Sequence, residues 1–269
     1  EAFLRPLARG ERLGCFALTE PGSGSDATAL TAGACRDGDG WVLKGTKRFI
    51  TNGAEADVCI LLATADRAKG QEGHCAFLVE KEEFEVARVE EKMGLLATSC
   101  AELIFDCRVP ADRLLGEEGQ GFAIAMEALD GGRITVGAQA VGIARAALEE
   151  SIAYSRERWT FGKPIGGHQA IQFMIADMAA EIDAARLLTH RAAVLKDQGK
   201  PYGREAAMAK LYASEAAMRA ATKNVQIHGG YGYVKEFPAE RHFRDTRITE
   251  IYEGTSEIQR LVIARSLLK

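Results

Sequence analysis

Apolar residues along this chain follow two different rhythms. Up to about Cys107 they come in short runs broken by glycine or charge: Trp41 to Ile50, Val58–Ala63, Cys75–Val79 and Ala101–Phe105. Runs of that length, with no helical repeat between them, predict strands. The first follows Asp37-Gly38-Asp39-Gly40, a hairpin signal because its glycines tolerate turn backbone angles. Several short strands in succession predict an antiparallel barrel or sandwich.

From about Gly119 the rhythm becomes helical and rich in alanine. Ile171, Ile175, Met178, Ile182 and Ala185 recur at alternating four- and three-residue steps, and Leu211, Ser214, Met218, Ala221 and Val225 do the same. Val141, Leu148 and Ile152 mark a stripe on an earlier helix. Turn or cap signals at Gly162-Lys163-Pro164, Gly199-Lys200-Pro201 and His228-Gly229-Gly230 divide the region. This predicts three long antiparallel helices and a shorter fourth, with the stripes as core packing. The fold class is therefore α+β in two domains. A β-barrel or sandwich occupies residues 1–115 and an antiparallel four-helix bundle residues 116–269.

Composition narrows the function classes. The 269 residues are 47% hydrophobic and 27% charged with a net charge of −4, ordinary for a globular chain. No basic cluster points to nucleic acid, and no apolar run approaches the roughly 20 residues of a membrane span. Six cysteines, at 15, 35, 59, 75, 100 and 107, form no C-x-x-C pair. They read as small buried hydrophobes in a reducing compartment. Histidines 74, 168, 190 and 242 show no metal-ligand spacing. The chain begins at Glu1 rather than methionine, so the natural N-terminus and any targeting peptide are expected outside it.

The most informative run is Ile251-Tyr252-Glu253-Gly254-Thr255-Ser256-Glu257-Ile258-Gln259-Arg260. Ser256 and Gln259 have the spacing of a capping box, so Glu253 would sit in a tight loop before a helix N-terminus. Gly254 lets the backbone approach a ligand closely. A lone loop glutamate is ordinarily a solvated charge; here the setting also suits a general base. The Asp130-Gly131-Gly132-Arg133 stretch is expected to interrupt a helix. Two glycines there cost about 1 kcal/mol each relative to alanine, which suggests a close approach to something.

Glu253 and its neighbours resemble the catalytic-base segment of the acyl-CoA dehydrogenases, and Cys15-Phe16-Ala17-Leu18-Thr19-Glu20-Pro21-Gly22-Ser23-Gly24-Ser25-Asp26 resembles that family's flavin-facing signature. The two lie in the family's order. A β half followed by a helical half resembles the family's middle and C-terminal domains, closest to short-chain (butyryl) members. The resemblance implies a helical N-terminal domain as well, and nothing in this sequence corresponds to it.

FAD is implied by the resemblance alone, because Gly22-Ser23-Gly24-Ser25-Asp26 lacks the spacing of a nucleotide-binding glycine loop. On the same basis Phe16, Leu18 and Thr19 would line the isoalloxazine ring. Phe49-Ile50-Thr51 looks like the family's Trp-Ile-Thr segment, with Phe49 against a ring face and Thr51 hydrogen-bonding the ring. Arg158, Thr160, Phe161 and Gln169 would reach FAD across a subunit interface, the guanidinium pairing with the pyrophosphate. Gln226, Gly229 and Gly230 would contribute a second neighbouring contact, and the Thr255–Glu257 turn, through Thr255 and Glu257, a further one. His228 replaces the family's usual aliphatic residue. Asp130 and Arg133 would contact the CoA portion with Ser25, and Gly254 would approach the substrate. Some long-chain and isovaleryl members carry their base at the position matching Gly132, so here the base should be Glu253.

The resemblance further implies α,β-dehydrogenation of a short- or medium-chain acyl-CoA in fatty-acid β-oxidation. Electrons would pass to an electron-transfer flavoprotein, and the enzyme would be a homotetramer, a dimer of dimers. Its compartment would be the mitochondrial matrix in a eukaryote or the cytoplasm in a bacterium. The helix N-terminus should lower the Glu253 pKa and desolvation by substrate should raise it, with desolvation expected to win in the complex. Other readings are an acyl-CoA oxidase using oxygen, an inactive FAD-binding or assembly module, and a helical interaction domain without flavin.

Overall fold

The computed structural model describes residues 2–269, which divide into two compact units, one ending at Ala128 and the other beginning at Leu129. In the first unit a short helix α1 (Leu4–Ala8) precedes eight strands: β1 (Gly14–Ala17), β2 (Gly33–Asp37), β3 (Gly40–Thr51), β4 (Val58–Thr64), β5 (His74–Glu80), β6 (Glu85–Val89), β7 (Cys100–Pro110) and β8 (Leu114–Leu115). They form one sheet in the order β6-β7-β3-β2-β4-β5-β8, with β1 added alongside β4. The Asp37–Gly40 turn joins β2 to β3 as expected. The sheet is antiparallel except where β1 and β2 each run parallel to β4, so it is mixed rather than wholly antiparallel. Trp41 on β3 meets Phe77 on β5 edge-on at 5.2 Å, although β2 and β4 separate these strands. The sheet therefore curls around a shared core that includes Leu43, Leu61, Leu103 and Phe105.

Lys47 lies on the inward side of β3, in phase with Trp41 and Leu43 by the two-residue alternation of a strand. Its ammonium is fully buried and pairs with Glu20 at 2.8 Å. It also donates to the Leu18 carbonyl at 2.9 Å. The Glu20 carboxylate accepts hydrogen bonds from the Thr31 N–H, the Thr31 hydroxyl and the Ala32 N–H. Burial alone would raise the Glu20 carboxyl pKa, but Lys47 and these donors outweigh it and hold it below its ordinary value. A bulge follows between Lys47 and Ile50, which restores Ile50 to the core and leaves Phe49 with φ +58°.

Of the six cysteines, 15, 59 and 75 are buried and 100 and 107 half-buried, but Cys35 is exposed, against the expectation for that position. All six are free thiols.

In the second unit the helices are α2 (Gly121–Glu157), α3 (Gln169–Asp197), α4 (Gly203–His228), α5 (Ala239–Arg247) and α6 (Ser256–Leu267). Between α2 and α3 a two-strand hairpin, β9 (Trp159–Thr160) and β10 (Lys163–Pro164), turns through Phe161 and Gly162. The division falls inside α2, later than the boundary expected near residue 115. Its first turns belong to the β unit: a side chain at Gly121 would strike the Cys75 backbone at 2.4 Å, and Ala125 packs with Leu62 and Ala76. The helix also runs without a break through Gly131-Gly132, contrary to the expected interruption.

The α3 stripe holds: Met178, Ile182 and Ala185 are buried. Of the α4 stripe, Ser214 and Ala221 are buried while Leu211, Met218 and Val225 are half-buried at the margin of a wider face made mostly of alanine, from Ala206 to Ala221. That helix packs on α3, α5 and α6. Short side chains let three neighbours approach it, so α4 is the centre of the bundle. Among the described residues no helix is long and apolar enough to cross a membrane.

Replacing Lys47 by methionine removes one partner of a buried pair and leaves the Glu20 charge uncompensated. The expected loss of folding stability is about 3–5 kcal/mol, measured by urea unfolding, and most of it should return in the double variant Lys47→Met/Glu20→Leu.

Candidate active site

Glu253 occupies a five-residue connection between a short 3₁₀ turn, Ile248–Glu250, and α6. Its backbone is left-handed at φ +53°, and Gly254 follows at φ +89°. Glycine accepts that region freely, whereas a glutamate held there costs of order 1–3 kcal/mol and persists only when its surroundings fix it. The surroundings are three side-chain donors from three helices. Arg133 Nε on α2 donates to the Glu253 carbonyl at 3.4 Å. Lys210 Nζ on α4 donates to the Gly254 carbonyl at 2.7 Å. Gln259 Nε2 on α6 donates to both, at 3.0 Å and 2.8 Å. Tyr252 is anchored beside them by its hydroxyl, which donates to Gln139.

The helix start lies one residue earlier than the sequence suggests. Thr255 is the N-cap, its hydroxyl accepting from the Ile258 N–H at 3.4 Å. Ser256 and Gln259 form no capping box. Gln259 is fully buried and turns back to hold the loop carbonyls, because two adjacent buried acceptors need partners.

The Glu253 carboxylate lies directly over α2. A Cβ added at Gly132 would be 2.6 Å from Glu253 Oε2, so this glycine is required by close approach within a regular helix. Burial raises the Glu253 carboxyl pKa, opposed by the positive charges of Arg133 and Lys210. The upward shift belongs to the protein without substrate, and two cations oppose it. Arg133 is itself buried and paired with Asp130 at 2.5 Å. Tyr252 is pushed up to about 12, chiefly by burial, against the Gln139 hydrogen bond.

The residues expected at a flavin fall into compact local groups. In the β unit, Phe16 and Leu18 are half-buried against Leu30, Leu62 and Ala76. The Arg48 N–H donates to the Thr19 carbonyl at 2.9 Å, which fastens the 16–19 segment to the 49–51 segment. Phe49 is 58% exposed and Thr51 is exposed, whereas Ile50 is buried in the core, where its carbonyl accepts from the Gly53 N–H at 3.1 Å. Ser25 is exposed.

In the helical unit, Arg158 reaches over the Tyr231 ring at 5.5 Å, which joins the Arg158–Gln169 segment to the end of α4. Arg158, Phe161, Gln169, Gln226, Gly229 and Gly230 are exposed, and Thr160 is half-buried with its hydroxyl 3.2 Å from His168 Nε2. Phe161 holds φ +50° while 96% exposed. His228 is buried, stacked on Tyr154 at 4.2 Å, with Nδ1 2.9 Å from the Asn224 carbonyl. It is a packed core residue. Gln226 lies sixteen residues along α4 from Lys210, or roughly 24 Å at the rise of an α-helix. The Arg158 group is thus remote from Glu253 within one chain. Asp130 and Arg133, by contrast, stand beside Glu253, with Gly254, Thr255 and Glu257 following it in the same loop and helix start.

The sequence gives no sign of Lys210 and Gln139 around Glu253, of the loop contacts of Gln259, or of the Lys47–Glu20 pair beneath the 16–19 segment. Lysines on an alanine-rich helix or a strand carry no signal that they point inward. Among the described residues no group of three or more His, Cys, Asp or Glu side chains is placed to hold a metal ion.

Two family descriptions match the chain: the acyl-CoA dehydrogenase middle domain over residues 15–107 and the C-terminal domain over 119–268. The short-chain specific acyl-CoA dehydrogenase of Bos taurus mitochondria is 55% identical over the whole of this chain, which covers 66% of that protein. The chain thus spans about two thirds of the length of the curated relatives it matches first. The solved structure of butyryl-CoA dehydrogenase from Megasphaera elsdenii superposes with a TM-score of 0.99 at 49% identity, covering 100% of this chain and 71% of that one. A chain from a structure described as the electron transferring flavoprotein of Acidaminococcus fermentans superposes at 0.98, with 52% identity and the same two coverages. With both of its units accounted for in this way, the chain belongs to the acyl-CoA dehydrogenase family, FAD flavoproteins that oxidise CH–CH donors.

Proposed function

We propose that the protein converts a short- or medium-chain acyl-CoA to its trans-2-enoyl-CoA, with Glu253 as the base that removes the α proton. The observation that carries this reading is the placement of Glu253: a desolvated carboxylate in a left-handed loop, over a glycine that leaves it room, faced by two cations. A thioester α proton is weakly acidic, and a base works best when its pKa lies near the operating pH. Burial supplies that upward shift here. The Glu253 N–H would donate to the thioester oxygen as enolate-like charge develops there. Arg133, paired with Asp130, orients the loop through the Glu253 carbonyl; Asp130 and Arg133 in the helical unit, and Ser25 in the β unit, are the residues proposed for the CoA portion.

FAD, when bound, supplies the acceptor for the hydride leaving Cβ, which no side chain can accept. Features of this chain fit such a group. Phe49 presents an exposed aromatic face at a bulge, and the Ser256 hydroxyl, within the Thr255–Glu257 turn, is buried without a partner. In the β unit, Phe16, Leu18, Thr19, Phe49, Thr51 and the Ile50 backbone would hold the ring. Phenylalanine at 49 keeps an apolar face and lacks an indole donor. In the helical unit Thr255 and Glu257 would add contacts.

Arg158, Thr160, Phe161, Gln169, Gln226, Gly229 and Gly230 would serve the cofactor of a neighbouring subunit. Their distance from Glu253 along α4 supports this, as does the exposure of Trp159 (61%), Phe161 (96%) and Tyr233 (85%) around them. That assignment requires at least a dimer, and a homotetramer built as a dimer of dimers is the assembly proposed from the family. The described similarity to the Acidaminococcus fermentans structure supports an electron-transfer flavoprotein as acceptor. Relatives from mitochondria and from clostridia support the matrix or the bacterial cytoplasm, according to source.

Anaerobic addition of butyryl-CoA to the FAD-loaded protein should bleach its visible flavin absorbance. Glu253→Gln should keep flavin and lose dehydrogenation by about 10²–10⁴-fold, the usual contribution of a positioned base, and retained turnover would remove Glu253 from this role. The rate should report an ionisation between pH 5 and 9; a flat profile would count against the assignment. Gly132→Ala, whose methyl would press on the carboxylate, should lower turnover without loss of folding on thermal denaturation.

Glu253 also makes a stability prediction with a definite sign. Its folded-state pKa is raised, so the stability it contributes is present below the ordinary glutamate pKa and is lost as pH rises through the folded value. Relative to wild type, Glu253→Gln should therefore gain stability in urea unfolding as pH is raised over that window.

A further inference from the structure

Lys210 is fully buried in the middle of the helical unit, and its hydrogen bond goes to a main-chain carbonyl rather than to a carboxylate. Burying an ammonium is expensive, and its removal in favour of a well-packed apolar side chain is often neutral or stabilising. Hydrogen-bonding need does not account for it. The Gly254 carbonyl already accepts from the neutral amide of Gln259 at 2.8 Å, and the Glu253 carbonyl from Gln259 and Arg133. What Lys210 adds is positive charge inside a shell of four charged groups. Glu250 comes from the 3₁₀ turn before the loop, Glu253 from the loop, Glu257 from α6 and Arg133 from α2.

We propose that Lys210 is a positioning residue for the base: its ammonium, fixed on the Gly254 carbonyl, holds Glu253 in its left-handed conformation and supplies, with Arg133, the positive field that keeps the buried carboxylate ionisable. The inference rests on the reading of Glu253 as the base. Geometry carries it. Gly254 is the residue immediately after Glu253, so tethering its carbonyl fixes the peptide plane that joins them, and a charge in the apolar interior acts more strongly than one in water. Burial lowers the Lys210 pKa to about 8, with Arg133 also lowering it and the three glutamates raising it. The ammonium therefore persists at neutral pH and is lost in mild alkali. The alkaline limb of turnover then reports Lys210, and the acid limb Glu253.

Two variants separate charge from hydrogen bonding: Lys210→Met removes both, and Lys210→Gln keeps a donor. The Glu253 carboxyl is followed by NMR in the full chain labelled with ¹³C-glutamate, its signal identified by its loss in Glu253→Gln. Both variants should titrate at higher pH than wild type, because a cation that lowers the Glu253 pKa has gone. In Lys210→Met, amide exchange across residues 252–254 should accelerate, and kcat of the FAD-loaded enzyme with butyryl-CoA should fall on the order of 100-fold with KM little changed, as expected when a base is misplaced. Lys210→Gln should recover part of kcat and keep the slow exchange while losing the alkaline limb. Unchanged Glu253 titration in both variants, or wild-type kcat in Lys210→Met, overturns the proposal. Should Lys210→Met fail to fold, the titration of Lys210→Gln decides alone. That titration needs no substrate, so its failure sinks the role of Lys210 only, whereas turnover retained by Glu253→Gln sinks the base assignment and this proposal with it.

Discussion

Two consecutive carbonyls, those of Glu253 and Gly254, take hydrogen bonds from Arg133, Lys210 and Gln259, which stand on three different helices. A glutamate with φ +53° would relax to an ordinary backbone if nothing opposed it. The helical unit exists in a form that opposes it. Alanines along α4 draw α3, α5 and α6 inward, and that packing delivers Lys210 to the Gly254 carbonyl and Gln259 to both carbonyls. The uninterrupted α2 brings Gly132 and Arg133 in register with the loop, one giving room to the carboxylate and the other charge. The placement of the Glu253 carboxylate is therefore a property of the whole bundle.

The β unit solves a similar problem with a similar device. Its 16–19 segment has little regular structure after β1, yet it must keep a defined path. The buried Lys47–Glu20 pair, with the Leu18 carbonyl and three donors from Thr31 and Ala32, ties that path to β3 and to the strand entry at residue 33. Both units thus spend a buried lysine on a loop that the sequence marks as functional. Isolated charges in a core are unfavourable, and in each case the ammonium is satisfied by carbonyl or carboxylate oxygens of that loop. The cost of burial converts into restriction of loop conformation, which is what a site with fixed chemistry requires.

Legibility differed by element. Strands β3, β4, β5 and β7 were plain from their runs, and the hairpin from Asp37–Gly40, because strand and turn preferences act within a few residues. The parallel addition of β1 to β4 was not, since Gly14–Ala17 carries no mark of its partner. On α3 the aliphatic stripe named the buried face. On α4 it named only part of the buried face, Ser214 and Ala221, because alanine buries as readily as it is exposed and a helix surrounded by neighbours has no single apolar side. The double glycine at 131–132 is a close approach but not a break; core packing of α2 through Ala140, Val141 and Ala144 carries the helix through about 2 kcal/mol of unfavourable propensity.

Local sequence was enough to read the two-part α+β architecture, the loop that carries Glu253 and Gly254, and membership in a family whose motifs occur in order. These depend on local periodicity and on short runs whose chemistry is self-contained. Packing of distant segments turns Lys210 and Lys47 inward, commits Gln259 to the loop instead of a cap, and sets two cations against the Glu253 carboxylate. Electrostatic environment and burial are sums over residues distant in the chain, so no window of sequence contains them; only folding brings their contributors within range.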